Sequence, residues 1–350
     1  MKTIKSVKIG DVVLGAGQPI AVQSMTNVST SDIPAAMAQI QALSDAGCDI
    51  VRLAVPDEDS AKAMETLVSQ SPVPLVADIH FDYRLALMCI ERGVQKIRIN
   101  PGNIGGEEKA KAVADAALKA GVPIRIGVNG GSLEAGLLEK CNGNLALAMV
   151  ESAKRHVEIL NRYGFDDIVL SMKSSTVKTT IDAYRLARET FPYPLHLGVT
   201  EAGTYADGVV KSAIGIGSLL ADGIGETLRV SLTDDPVKEV ETARRILKAL
   251  DLGGDRVQVV SCPTCGRTKI DLIPIAKAVT EAVENIPAKL KVAVMGCVVN
   301  GPGEAKDADL GIAGGDGCAV LFKKGEIIKK IPEDAIVSEL LAEIEKLVKG

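Results

Sequence analysis

A (β/α)8 TIM barrel followed by a smaller α+β domain is the fold class this sequence predicts, and three observations predict it. Eight short apolar, β-branched runs recur between residues 19 and 232, each followed by a polar turn and an amphipathic stretch. No glycine-rich fingerprint follows the first run, as an open doubly wound sheet would more often show. After residue 254 the alternation gives way to a different rhythm of strands and helices.

The strands read PIAVQSMT (19–26), DIVRLAV (49–55), PLVADIH (74–80), QKIRIN (95–100), PIRIGVN (123–129), DIVLSMK (167–173), PLHLGVT (194–200) and TLRVSL (227–232). The helical crossovers between them imply parallel pairing. In the first helix, within SDIPAAMAQIQALSDAG, Ile33, Met37, Ile40 and Leu43 share one face. Ser31 or Asp32 can cap it, Pro34 suits its first turn and Gly47 ends it. The eighth helix lies in PVKEVETARRILKALDLGG (236–254), and residues 251–256 read as a linker. Then come a strand at RVQVVSC, a helix at IDLIPIAKAVTEAVENI and a strand at KVAVMGC. Short strands follow near ADLGIAG, CAVLF and GEIIKKI, with a turn at KKGE and a helix from about residue 333. The expected domains are 1–252 and 253–350.

Net charge is −5, aromatics are 3% and tryptophan is absent, which argues against a nucleic-acid binder. No run approaches the roughly 18–20 apolar residues of a membrane span. The first residues, MKTIKSVKIGDVVLGAGQPI, hold no apolar signal stretch. A cytoplasmic protein with reduced thiols is expected.

Barrel active sites lie at the carboxyl ends of the strands. Those ends carry the cations Arg52, Arg98, Arg125, Lys173 and Arg229 and the anions Asp78 and Glu201, a surplus of three positive charges. Any one arginine is better read as paired or solvated. Five converging on one mouth are harder to explain so, because an unpaired buried charge costs several kcal/mol. A ligand of two or three negative charges, such as a diphosphate, fits guanidinium forks. GVNGGS (127–132) and EAGTYADG (201–208) can add backbone N–H groups. His80 and Glu201 are the proton-transfer candidates, with a bracing histidine and a carboxylate holding Lys173 as the structural alternatives.

Cys48, Cys89 and Cys141 read as small buried hydrophobes, as does Cys318 in a late strand. Cys262, Cys265 and Cys297 each follow an apolar strand at a turn. A Cys-x-x-Cys pair serves zinc, redox disulfides and iron–sulfur clusters alike. A redox pair needs no third cysteine, and a zinc site of four cysteines would have to recruit Cys318. Glu304 lies seven residues past Cys297, beyond a Gly-Pro-Gly bend that can fold it back. Three thiolates and a replaceable carboxylate suit a [4Fe–4S] cube, although Glu304 can equally cap the bend. Two readings therefore stand beside the cluster enzyme: a phosphate-binding TIM-barrel transferase with a structural zinc module, and a non-catalytic iron–sulfur carrier.

VQSMTN (22–27), ADIHFD (77–82), IRINPGN (97–103), SMKSS (171–175), GVTEAG (198–203), SCPTCGRT (261–268) and MGCVVNGPGE (295–304) resemble the motifs of one family nearly end to end. That family is the 4-hydroxy-3-methylbut-2-enyl diphosphate synthases of non-mevalonate isoprenoid (MEP pathway) biosynthesis. The resemblance implies a two-electron reductive ring opening of 2-C-methyl-D-erythritol 2,4-cyclodiphosphate with loss of a hydroxyl as water. It implies that Cys262, Cys265, Cys297 and Glu304 ligate a [4Fe–4S] cluster, and that Arg52, Arg98, Arg125, Lys173 and Ser231 hold the diphosphate. Asn129 would orient the substrate, Glu201 would serve in proton transfer, and flavodoxin or ferredoxin would deliver electrons singly. The chain resembles the short bacterial form, a homodimer in which one subunit's cluster domain covers the partner's barrel mouth. Cys318 belongs to none of these motifs.

Overall fold

A computed structural model describes residues 3–15, 17–100, 104–284, 286–298 and 305–349. The chain divides into two compact units, Met1–Leu252 and Gly253–Gly350.

The first unit opens with an antiparallel hairpin, β1 (Val7–Ile9) and β2 (Val12–Leu14), which the strand–helix rhythm did not announce. Gly10 occupies its two-residue turn at φ +56°, the left-handed region that glycine enters without penalty. Val7, Ile9 and Leu14 pack against Ala21, Ile50, Val76 and Val169, which lie at the amino ends of barrel strands. The hairpin thus lays an apolar floor under the barrel.

The barrel strands are β3 (Ala21–Met25), β4 (Ile50–Ala54), β5 (Leu75–Asp78), β6 (Lys96–Ile99), β7 (Ile124–Asn129), β8 (Ile168–Lys173), β9 (His196–Leu197) and β10 (Thr227–Leu228). They pair in parallel in the order β8-β7-β6-β5-β4-β3-β10-β9, and a parallel bridge between Leu170 and Leu195 closes the circuit. The last two strands are two residues each, much shorter than PLHLGVT and TLRVSL suggested. Beyond Leu197 the chain approaches the Arg229 carbonyl so closely that a Cβ on Gly198 would lie 2.7 Å from it.

Side chains alternate across each strand. Val22, Val51, Leu53, Ala77, Ile97, Ile99, Ile124, Ile126 and Leu170 face the helices in one large apolar cluster, leaving the intervening residues to the barrel interior. The outer ring includes α1 (Ile33–Asp45), α2 (Glu58–Gln70), α3 (Tyr83–Glu91), α4 (Glu107–Ala120), α5 (Leu137–Lys140), α6 (Leu145–Arg162), α7 (Val177–Thr190), α8 (Tyr205–Ala221) and α9 (Pro236–Ala249). Of the two candidate caps of α1, Asp32 serves: its carboxylate accepts the Ala35 N–H at 3.2 Å, whereas the Ser31 hydroxyl meets Ser29. Ala36, Ile40 and Leu43 form the buried face of that helix, with Ile33 and Met37 at its margin.

The second unit is a five-stranded sheet, β11 (Val257–Ser261), β12 (Leu290–Met295), β13 (Leu310–Gly315), β14 (Cys318–Lys323) and β15 (Glu326–Pro332), in sequence order. The first three strands run parallel and the last two continue as an antiparallel meander. Helices α10 (Leu272–Val283) and α11 (Ile336–Lys349) contribute Val279, Val283, Leu340 and Ile344 to a core with Val257, Val292, Val294 and Ile312. The last helix starts at 336 because a 3-10 turn, Glu333–Ala335, comes first and lends the Glu333 carboxylate to the Asp271 N–H at 2.8 Å. Among the described residues no helix is long and apolar enough to cross a membrane.

Candidate active site

The barrel interior is polar above its floor. Arg52 from β4, Arg98 from β6, Arg125 from β7 and Lys173 from β8 point inward around Asp78 from β5. Asp78 lies 3.2 Å from Arg98 Nη1 and 3.8 Å from Arg52 Nε, so one buried carboxylate serves two guanidinium groups. Burial alone would raise the Asp78 pKa, but Arg52, the His80 hydrogen bond, Arg98 and Arg125 outweigh it and hold it well below the usual carboxylate range. Burial pulls Arg52 down to about 10, still charged at neutral pH. Arg52 also directs Nε and Nη2 at the Met25 sulfur, 3.1 and 2.9 Å away.

Arg125 is 1% exposed, and among the described residues its Nε and Nη1 have no hydrogen-bond partner. Burial and the charges of Arg52 and Arg98 push its pKa down, yet a guanidinium stays protonated in proteins. Burial, then Arg125 and Arg52, likewise pull the Lys173 ammonium well below the usual lysine range. Two missing side chains make room for these cations. A Cβ on Gly127 would lie 2.7 Å from Arg98 Nε, and one on Gly198 would lie 2.8 Å from Lys173 Nζ.

Arg229 needs correction as an unneutralised cation. Glu239 of α9 is buried, accepts from Arg229 Nε and Nη2 at 3.1 Å each, and also takes the Ser24 hydroxyl and the Leu232 N–H. A carboxylate on a helix beyond the last strand could not be matched to a strand-end arginine by spacing. In the other direction, Lys96 was missed: it lies fully buried inside the barrel at the start of β6. The signal was available, since Lys96 and Arg98 share a face of QKIRIN by simple alternation.

The remaining candidates lie near the carboxyl ends. His80 is more than half exposed, receives Arg98 Nη1 at 3.3 Å and lies 3.4 Å from Asp78. Asn129 ends β7, half-buried, and Ser231 follows β10, also half-buried. Glu201 is exposed and holds φ +53°, a left-handed conformation that costs a non-glycine residue about 1 kcal/mol or more and gathers at functional sites. His156 and His196 are buried within the first unit. Burial pushes the Cys48 and Cys89 thiols up to about 12, so both stay protonated.

In the second unit Ser261 pairs with Val294, Met295 with Ala313 and Gly315 with Cys318. Cys262, Cys297 and Cys318 therefore lie at the same end of the sheet, where the parallel strands finish. The Gly296 N–H donates to Cys262 Sγ at 3.2 Å, the kind of bond that stabilises a ligating thiolate. Gly296 carries no side chain where a Cβ would lie 3.0 Å from Thr268. The Cys265 loop is turned by Cys265 N–H to the Thr268 hydroxyl, and N–H groups of Arg267 hold the Cys265 thiol below its ordinary pKa. Glu304 lies outside the described residues. Among those described, no three Cys, His, Asp or Glu side chains already converge on a metal-sized point. The donor set nonetheless fits an iron–sulfur group in kind: three free thiols, one exposed, one half-buried and one buried, at strand ends with backbone N–H groups beside them.

Fold and sites together define a protein of two units: a parallel barrel lined with inward-facing cations, and a thiol-bearing α+β unit. The GcpE TIM-barrel domain matches residues 4–244 and the GcpE protein C-terminal domain matches residues 258–346, so the chain belongs to the GcpE family. Relatives named 4-hydroxy-3-methylbut-2-en-1-yl diphosphate synthase (flavodoxin) include one from Caldanaerobacter subterraneus subsp. tengcongensis, 57% identical over 348 residues, 99% of this chain and 98% of that one. Another, from Ruminiclostridium cellulolyticum, is 55% identical over 343 residues, 98% of this chain and 97% of that one. Among solved structures, the Yersinia pestis dihydropteroate synthase superposes with a TM-score of 0.50 at 17% identity, covering 70% of this chain and 98% of that one. The Bacillus subtilis spore coat polysaccharide biosynthesis protein spsE gives 0.51 at 14%, covering 71% and 74%. These two resemblances concern the barrel fold alone.

Proposed function

We propose that the chain is a 4-hydroxy-3-methylbut-2-en-1-yl diphosphate synthase, an iron–sulfur oxidoreductase that opens the ring of 2-C-methyl-D-erythritol 2,4-cyclodiphosphate. The observation that carries the reading is the set of inward-facing cations, Arg98, Arg125 and Lys173 buried and Arg52 nearly so, of which Arg52 and Arg98 share the carboxylate of Asp78. Its near end-to-end kinship with synthases of that name supplies the reaction.

The cyclic diphosphate is a permanent dianion, and it supplies the acceptors that the orphaned Arg125 atoms lack. Arg52, Arg98, Arg125, Lys173 and the Ser231 hydroxyl bind it, and Asn129 orients the carbon skeleton. Binding energy spent on the phosphates holds in place the carbon whose bond to a phosphate oxygen breaks as the ring opens. Glu201 holds or moves the proton at the hydroxyl that departs as water, and His80, braced by Asp78 and Arg98, supports it. Two electrons and one proton enter for each ring opened, and one water leaves. Cys262, Cys265, Cys297 and Glu304 would hold a [4Fe–4S] cluster, which would supply those electrons one at a time from flavodoxin or ferredoxin. The protein works as a cytoplasmic homodimer, with the barrel (1–252) as the substrate domain and residues 253–350 as the cluster domain.

The test is anaerobic. Reconstituted protein with a strong reductant should turn over the cyclodiphosphate, and Cys297→Ser should lose both the brown colour and the activity. A colourless protein carrying stoichiometric zinc would favour the transferase with a zinc module. A cluster-loaded protein without turnover would favour an electron carrier.

A further inference from the structure

We propose that Lys96 is a positioning residue of the diphosphate site, uncharged in the free protein and taking up a proton when the cyclic diphosphate binds. This rests on the substrate proposed above.

Lys96 Nζ is fully buried and, among the described residues, donates to Gln23 Oε1 at 3.1 Å. Among the described residues no carboxylate lies within salt-bridge distance of it. The polar and charged groups that share the barrel interior with it come from every wall, and Gln23, Arg125, Arg52 and His196 are the ones that act on it. Gln23 stands on β3, Arg52 on β4, Arg98 beside it on β6, Arg125 on β7, Ser171 and Lys173 on β8, and His196 on β9. Asp78 on β5 is committed to Arg52 and Arg98, and Arg229 beyond β10 is committed to Glu239. Thr227 meets His196 Nδ1, and the hairpin floor beneath is apolar.

This interior is rich in donors and short of acceptors. Among the described residues the buried donors Gln23 Nε2, Arg125 Nε and Arg125 Nη1 have no partner. An ammonium at Lys96 would add a charge and more donors to a set that has too many. A neutral amine instead offers a lone pair. Burial, with Arg125 and Arg52 alongside, pulls Lys96 well below the usual lysine range. A dianion at the mouth offsets two of the positive charges of Arg52, Arg98, Arg125 and Lys173, which favours taking up the proton.

Each phosphorus of a cyclic diphosphate carries one oxygen that titrates far below neutrality, so protons exchanged on binding belong to the protein. Calorimetric titration of oxidised, cluster-loaded protein with the cyclodiphosphate, without reductant and in buffers of different ionisation enthalpy, measures that exchange. Wild type should take up close to one proton more than a Lys96 variant, with Lys173 accounting for any uptake the two share, and its affinity should rise as pH falls. Lys96→Met and Lys96→Gln should still bind, more weakly, without that additional proton and with a flatter pH profile. Binding by wild type without uptake, or uptake unchanged in both variants, overturns the inference alone. No binding by wild type defeats the substrate assignment and the inference with it.

Discussion

Arg98 and Lys173 extend across the barrel because the inward positions beside them, Gly127 and Gly198, carry no side chain. A methyl group at Gly127 would displace the Arg98 guanidinium rather than any backbone, so the fold should tolerate Gly127→Ala while the anion site does not. Titration with the cyclodiphosphate should show at least about tenfold weaker binding, equivalent to about 1.4 kcal/mol. Wild-type affinity in that variant would remove Arg98 from the ligand set. Glu239 carries a different load, since four donors from Ser24, Arg229 and Leu232 converge on its carboxylate. Glu239→Ala strands the Arg229 charge in a largely buried setting and should destabilise the protein by about 3–5 kcal/mol in urea unfolding. A loss below about 1 kcal/mol would mean that solvent already screens the pair.

Among the elements, the amino-terminal hairpin is the one whose purpose only the folded chain reveals. Its Gly-Asp turn is a recognisable two-residue hairpin signal, but nothing in VKIGDVVL says that it seals the barrel floor. Ile9, fully buried there, should cost about 2–5 kcal/mol when changed to alanine, read as a lower urea midpoint with an unchanged slope. A near-neutral result would show that the floor can collapse or that the barrel closes without it. The first six barrel strands were legible to within about two residues because period-two alternation and β-branched residues mark them. The shortness of β9 and β10 was not, because Gly198 meeting the Arg229 carbonyl is a contact between strands and leaves no mark on either one alone.

At the scale of the molecule, each unit has its own apolar core, so damage to one site should spare the other. Arg125→Met should weaken substrate binding and leave the cluster spectrum intact, whereas Cys297→Ser should bleach the protein and leave cyclodiphosphate binding measurable. A bleached Arg125 variant would contradict that division. The ligand-free barrel also stores a pH dependence. Lys96, Lys173 and His196 are all buried with lowered pKa values, so the unfolded chain binds more protons than the folded one. Stability should therefore rise with pH below the unfolded values of roughly 6.5 for histidine and 10.4 for lysine. The thermal midpoint should climb from pH 6 to pH 8, less steeply in Lys96→Met. A flat profile would mean that these groups are charged in the folded state.

Local pattern was enough for the alternating barrel, the cationic strand ends and the Cys-x-x-Cys loop, because period, turn chemistry and motif spacing are properties of short segments. Pairing was beyond it. That Arg229 is neutralised by Glu239, that Lys96 shares the barrel interior with donors unpartnered among the described residues, and that Cys262, Cys297 and Cys318 meet at one end of the sheet all depend on residues far apart in the chain. Net charge in a buried site is set by which groups end up within a few ångströms in a low dielectric, and only the closed fold decides that distance.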